Sequence, residues 1–455
     1  MERQELNATV SISLLYVVRM LGLFMVLPVL PLLVDEIADS TPFLIGLALG
    51  VYGLSQALLQ IPLGILSDII GRKPVLLAGL LVFVAGSLVA ASSENIYGII
   101  AGRFLQGCGA IASTLLALLS DVTQTENRSK AMAIVGMSIG ASFGISLVLG
   151  PWVNNLFGIE GIFLGTALAG LVGIAILYLI VPTPEKMNLN LDSHLEVTRL
   201  SEVISHSGLV KTILGIFILH FLLMSSFVAF PVLMQGTGEV ESSDHHLVYL
   251  SILVVTFVFM VPFMWLSDKP HWVKPLMLMM IGFFISASFL LSRFITFYPV
   301  MASMIMFFMA FNLLEVVLPS IVSKLAPAGS RGTAMGVYST AQFAGAFVGG
   351  AVGGYIAGAW QISDLMYVNI AVCLVWFMVS LSIPKTGNVQ TLTYSLTGID
   401  QPGAKKVRDA LLSIEGVNEA VIIESEQIAY LKVDDNLLDK EALDQLKKRS
   451  ESEQL

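Results

Sequence analysis

Stretches of about twenty apolar residues, the length an α-helix needs to cross a hydrocarbon core of about 30 Å, recur along this chain at 10 to 33, 43 to 66, 74 to 92, 95 to 119, 131 to 156, 161 to 181, 209 to 234, 247 to 267, 274 to 293, 297 to 322, 333 to 358 and 363 to 383. Backbone in lipid must satisfy its own hydrogen bonds, and apolar windows of this length do so as helices. They predict an all-α, multi-pass membrane protein with twelve transmembrane helices. The remaining composition agrees: 56% of the 455 residues are hydrophobic and only 13% are charged, against about a quarter charged in soluble domains. A water-soluble globular enzyme is excluded on that ground. The net charge of -9 offers no basic stripe for nucleic acid. Cys108 and Cys373 lie singly in apolar runs, so no disulfide framework and no metal site are expected. The absence of a GxxxxGK[ST] loop disfavours an ATP-driven pump, and no cofactor is expected. The first apolar run is too long for a signal-peptide core and reads as a retained span.

Cation placement predicts orientation, because loops rich in Lys and Arg stay in the cytoplasm. Arg3, Arg72, Lys73, Arg128, Lys130, Lys186, Arg199, Lys211, Lys269, Lys274, Lys324, Arg331 and Lys385 fall on one side, and Arg293 on the other. Both termini are therefore expected to be cytoplasmic, with acidic loops such as Asp35, Glu36, Glu239 and Asp244 outside.

The halves repeat each other. FMVLPVL with Pro28 matches FVAFPVL with Pro231, Pro62 and the LSD ending at Asp68 match Pro262 and the LSD ending at Asp268, and RSKAM from Arg128 matches RGTAM from Arg331. The shared offset of 200 to 203 residues implies two six-helix bundles in parallel duplication. The expected division is an N-terminal bundle over 1–182, a cytoplasmic connector over 183–208, a C-terminal bundle over 209–384 and a soluble domain over 385–455. In that last part TLTYSLTGI alternates like a strand, KKVRDALLSIEGV is helical in period, EAVIIES and QIAYLKV read as a hairpin, and NLLDKEALDQLKKR as a second helix. The order βαββα predicts a small α+β, ferredoxin-like domain with a regulatory or interaction role rather than a catalytic one.

Ionisable residues inside spans cost about 2.5 to 3.5 kcal/mol each on insertion scales and face protein-lined cavities. Arg19, Arg103, His220 and Glu315 are those residues here. A carboxyl placed in oil holds its proton more tightly, as a reversible proton carrier must, so Glu315 in FNLLEVVLPS is the leading candidate and His220 the second. A permanently paired structural charge is the alternative for Glu315, and an interhelical hydrogen bond for His220. Arg19 and Arg103 stay charged and fit structural and coupling roles equally.

The turn GILSDIIGRKP holds Gly64, Asp68, Gly71, Arg72, Lys73 and Pro74. It reads either as a positive topological anchor or as a conformational latch in which Asp68 faces the opposite bundle and Arg72 reaches Asp121. Gly136, Gly140 and Gly144 form one small-residue face, and Gly345, Gly349 and Gly353 another, with Gly350, Gly354 and Gly358 alongside. Such faces bring helices close, and Gly150 with Pro151 predicts a kink or break.

GILSDIIGRKP resembles motif A of the major facilitator superfamily, GRFLQGCGA its motif B, and the glycine row ending in Gly150 and Pro151 its motif C. Trp152 and Val153 stand where motif C continues with glycines, and Ile69 where motif A usually carries a cation. With LPVLP in the first span and the appended module, essentially the whole chain resembles the YajR-type branch of drug exporters. That resemblance implies alternating access by rocking of two bundles, proton coupling, the latch role for motif A, and a C-terminal domain that senses ions, ligands or the latch.

The expectation is a secondary transporter of the bacterial inner membrane that exports small amphipathic compounds in exchange for protons. About 2.3 kcal/mol per charge per 100 mV, against about 1.36 kcal/mol per tenfold ratio, supports roughly fiftyfold accumulation per proton. Candidate cavity residues, chosen as aromatic, thioether or amide groups, are Phe24, Met25, Tyr52, Gln56, Gln60, Met224, Tyr249, Asn312, Tyr338 and Gln342. A proton-coupled metabolite importer would use the same fold, and a membrane sensor signalling through the C-terminal domain is the other alternative.

Overall fold

The computed structural model describes residues 3–124, 127–182, 199–267, 269–327, 329–384, 389–395, 401–423, 428–434, 437–439 and 441–443. Most of the connector, Asp268 and most of the expected last helix lie outside the described residues.

The helices are α1 (Arg3–Phe24), α2 (Pro42–Ile70), α3 (Arg72–Ala91), α4 (Ile96–Cys108), α5 (Ala112–Val122), α6 (Arg128–Leu179), α7 (Leu200–Ser205), α8 (Ser207–Gly236), α9 (His245–Ser267), α10 (Pro270–Arg293), α11 (Phe297–Leu325), α12 (Arg331–Ala359), α13 (Ile362–Leu381) and α14 (Gln401–Leu412). Their ends follow local chemistry. α1 stops before Pro28 and Pro31, which lack the N–H a continuing helix needs. α2 starts where the Thr41 hydroxyl accepts from the Leu44 N–H at 3.2 Å, and α4 where the Asn95 side chain accepts from Gly98 N–H at 3.0 Å.

Two expectations are corrected. The window 95 to 119 is broken, with Gly109 closing α4 before α5 begins. The break expected at Gly150 and Pro151 falls instead at Gly158, whose φ of 66° only glycine adopts without strain, while Pro151 stays inside α6. At about 1.5 Å per residue the 52 residues of α6 far exceed a bilayer core, and Gly158 divides them into the windows expected at 131 to 156 and 161 to 181.

Among the described residues, ten helical stretches are long and apolar enough to cross a membrane. The stretch covering α6 contains two expected windows, and the glycine-rich α12 occupies the window at 333 to 358. Large apolar side chains such as Leu168, Phe257, Val258 and Met378 are exposed on the outer helix faces, as lipid contact requires. Inside, α1 and α3 pack on α6, α2 on α4, α8 on α11 and α13, and α10 on α11 and α13. The seam between these groups is formed by α12, which packs on both α2 and α8, and by α6 against α9.

Beyond the helices, β1 (Val389–Ser395), β2 (Val417–Ile423) and β3 (Ile428–Asp434) form an antiparallel sheet in the order β1-β3-β2. Ala404, Val407 and Leu411 of α14 share a small core with Val417, Ala420, Ala429, Leu431 and Val433 of the sheet. This core is separate from the one that runs from Ile12 to Ile383.

Candidate functional site

Motif A is assembled by the turn from α2 to α3, where Gly71 adopts φ 97° and lets the chain reverse within one residue. Arg72 is buried; its Nε donates to Asp121 Oδ2 on α5 at 3.0 Å and its Nη1 to Ser67 Oγ at 2.6 Å. It also pairs with Asp68, four residues back across the turn at the end of α2. Arg72 thus reaches Asp121, and Asp68, expected to face the opposite bundle, engages the same guanidinium within the first half. Lys73 does different work: its Nζ donates to the Val181 carbonyl at 2.8 Å, closing the C-terminal end of α6. The Cβ position of Gly64 lies 3.1 Å from Ser113 Oγ, so α2 and α5 approach closely there.

Arg103 on α4 is fully buried. Its nitrogens donate to the carbonyls of Gly22 at 2.7 Å, Leu23 at 3.2 Å and Ala48 at 3.3 Å, and to Gln106 Oε1 at 3.1 Å. The Tyr52 ring lies 5.0 Å away. Gln106 continues the network to Ser87 at 2.8 Å, so four neutral oxygens and a ring hold the cation and knot α1, α2 and α4 together. The structure does not bring Arg103 to Glu315.

Glu315, His220 and Gln342 do meet. The Gln342 amide nitrogen lies 3.0 Å from Glu315 Oε1 and 2.9 Å from His220 Nε2. One amide serves both when its two N–H groups donate and Nε2 accepts, which places the imidazole proton on Nδ1. Glu315 Oε2 is 3.9 Å from His220 Nε2, with the carboxylate side chain 31% exposed, and it has no hydrogen-bond partner among the described residues. Three helices thus converge on the carboxyl, whose side chain is partly exposed while its Oε2 is buried: α8, α11 and the seam helix α12. Arg19, 2% exposed, points at the same stretch of α12, its Cζ 5.7 Å from the Phe343 ring.

The expected cavity residues separate into groups. Gln342 belongs to the carboxyl cluster and Asn312 sits, half-buried, one turn before Glu315. Tyr52 lies under Arg103 with Gln56 donating to its hydroxyl at 3.5 Å, and the Gln60 carbonyl accepts from Ser113 at 2.9 Å. The Met25 carbonyl is pressed against Gly150, whose Cβ position would be 2.1 Å from it. Met224, Tyr249 and Tyr338 are buried, and the two tyrosine hydroxyls have no partner among the described residues.

Phe24 joins a cluster that residue counting missed. Phe143 of α6 lies 4.9 Å from Phe24, 5.4 Å from Phe311, 6.0 Å from Phe308 and 6.5 Å from Phe227, which bridges α1, α8 and α11 across the seam. With 25 phenylalanines in the chain, no local pattern singles this one out. A cavity of about 270 Å³ between α9 and α11 is lined by apolar residues including Leu247, Ile252, Phe297 and Met301 and holds none of the ionisable residues.

The glycine rows divide as well. Gly140 and Gly136 meet no atom within 4 Å and Gly144 only the tip of Leu253, so that row does not pack tightly as expected. The row Gly345, Gly349 and Gly353 packs on the α8 backbone at Phe217, Phe221 and Ser225. Gly350 and Gly354 pack instead on Gly46 and Gly50 of α2, with Cβ positions as near as 2.5 Å to backbone atoms.

Residues 12–350 and 212–406 match the Major Facilitator Superfamily. The chain is 40% identical over 443 residues to the inner membrane transport protein YajR of Escherichia coli (strain K12), covering 97% of each chain. It is 32% identical over 155 residues to the class H tetracycline resistance protein of Pasteurella multocida, covering 33% of this chain and 38% of that one. A solved bacterial homologue of the human lysosomal transporter Spinster, inward-facing and occupied, superposes with a TM-score of 0.66 at 12% identity over 85% of this chain and 98% of that one. The chain belongs to the major facilitator superfamily, a family of membrane transporters and not of enzymes.

Proposed function

We propose that this transporter exports small amphipathic compounds in exchange for protons, by alternating access between two six-helix halves over 1–182 and 209–384. The observation that carries it is Glu315: a carboxyl well inside α11, held by Gln342 of the seam helix at 3.0 Å, with His220 as the neighbouring base and one oxygen without a hydrogen-bond partner among the described residues. Such a group can take up or release a proton without a neighbouring fixed cation, and its holder sits on the helix that both halves share. The tetracycline resistance relative supports outward transport, and YajR supports an inner-membrane location.

The cation asymmetry supports twelve spans with both termini cytoplasmic. On that orientation, the seam contacts at Gly46, Gly50, Gly350 and Gly354, the Phe43 to Tyr355 ring pair at 6.4 Å and the Asn155 to Ser243 hydrogen bond at 2.7 Å lie toward the exterior. The arrangement is then closed outside and belongs to the inward-facing part of the cycle. The Arg72, Asp68 and Asp121 cluster, which here joins residues of the first half, is the residue set we assign to latching the opposite part. The sheet order β1-β3-β2 over α14 supports a ferredoxin-like module for residues 385–455, with sensing as its role.

Proteoliposomes with an imposed proton gradient test the reading. Export predicts substrate movement opposite to the proton flow, and Glu315→Gln should abolish its pH dependence while leaving the protein folded. Movement with the proton flow would establish import instead, and intact pH-dependent exchange in Glu315→Gln would remove Glu315 as the carrier.

A further inference from the structure

Three arginines are buried in the first half; Arg72 is paired with carboxylates, and the two inside the spans are treated in opposite ways. Arg103 is surrounded by four oxygens. Arg19 is 2% exposed, and all three of its guanidinium nitrogens are buried with no hydrogen-bond partner among the described residues. A guanidinium cannot shed its charge at any accessible pH, and buried charges are stable only when paired. The Phe343 ring at 5.7 Å gives a partial, directional compensation, and it also fixes where the group points. Phe343 is on α12, across the seam from α1, so Arg19 faces the junction between the halves and not lipid. The carboxyl facing that stretch of α12, Glu315 of α11, has Gln342 and His220 as its contacts among the described residues.

We propose that Arg19 receives an anionic group of the transported compound, so that the substrates are amphipathic organic anions: carboxylates, sulfonates or phosphates on an aromatic or aliphatic body. This rests on the reading that compounds bind between the two halves, and it names what they carry. The guanidinium fork matches a carboxylate or phosphate with two parallel hydrogen bonds. Phe343 and the cluster around Phe143, which spans the same seam, supply apolar surface for the rest of the molecule. Arg19 and Glu315 then divide the work on neighbouring residues of one helix: a fixed cation beside Phe343 for the substrate, an exchangeable carboxyl beside Gln342 for the proton.

The test is equilibrium binding to the full chain in nanodiscs of phosphatidylcholine, at fixed pH and with no gradient. Labelled benzoate, 2-naphthoate, decanoate and naphthalene-2-sulfonate are compared with their methyl esters. At least one acid should bind about tenfold or more tightly than its ester, as a charge-assisted, bidentate contact allows. Arg19→Gln should erase that preference and leave the ester's affinity within about twofold, while Arg19→Lys keeps part of it, having the charge without the fork. Thermal unfolding without ligand gives the second readout: Arg19→Gln should be at least as stable as the parent, because an unmet charge has been removed. The proposal is overturned if no acid is preferred by the parent protein, if Arg19→Gln retains the preference, or if Arg19→Gln is clearly less stable, which would mark a structural ion pair. Binding without a gradient is indifferent to transport direction, so these results stand or fall separately from export and from Glu315.

Discussion

At the residue scale, Arg103 and Glu315 show how differently a membrane interior can hold a charge. Arg103 has its donors spent on backbone carbonyls of two other helices, which makes it a strut. Removing it takes the donor from the Gly22 and Leu23 carbonyls at the end of α1 and from Gln106 Oε1, while the Ala48 carbonyl keeps its place in the α2 ladder, at about 1 to 3 kcal/mol for each group that finds no substitute. Arg103→Ala should therefore lower the thermal unfolding temperature in detergent sharply, and Arg103→Lys should recover little because an ammonium cannot span the same acceptors. A stable Arg103→Lys protein that had lost only its pH dependence would instead make Arg103 a coupling residue. The sequence identified both groups as exceptional, since each is a charge within an apolar run. It could not assign their roles, because Gly22, Leu23 and Ala48 contribute carbonyl oxygens, atoms that every residue carries.

At the scale of elements, α12 carries glycines on two faces with different partners. Gly349 meets the Phe221 backbone of α8, within the second half, and Gly350 meets Gly46 and Gly50 of α2, across the seam. A side chain at either position collides with backbone, which cannot yield as a flexible side chain would. The consequences should diverge. Gly349→Leu disrupts packing inside one half and should lower expression and stability. Gly350→Leu wedges the seam, so the protein should fold, disfavour the arrangement seen here and lose transport. Expression, thermal unfolding and transport measured on both variants decide it; identical behaviour of the two would remove the distinction. The α12 rows were visible in the sequence as small residues at helical spacing. Their partners were not, since Gly46, Gly50 and Gly53 are interspersed with larger residues, and the row at Gly136 and Gly140, equally regular, faces no neighbour within 4 Å among the described residues.

At the scale of the whole molecule, the hydrophobic windows and the internal repeat made the membrane architecture legible, and the composition change after Pro384 marked the C-terminal module. What the sequence did not reveal is where that module docks. Lys432 of β3 reaches the carbonyls of Leu325 at 3.4 Å and Ala326 at 3.3 Å, at the C-terminal end of α11, while Glu419 lies 3.7 Å from the same ammonium. A cation at a helix C-terminus contributes about 0.3 to 1 kcal/mol, and both hydrogen bonds are long. That is enough to bias α11, the helix bearing Glu315, but it corresponds to a shift of only about two- to fivefold in an equilibrium. Removing residues 389–455 should therefore change the transport rate by no more than about fivefold and leave proton coupling in place. Lys432→Glu, which sets a negative charge against the negative end of α11, should move the rate in the same direction as the deletion. Initial rates in proteoliposomes, matched for protein content, decide it. Loss of all transport on deletion would show that the module is part of the transport machinery, and an unchanged rate in both variants would show that the Lys432 contact transmits nothing to α11.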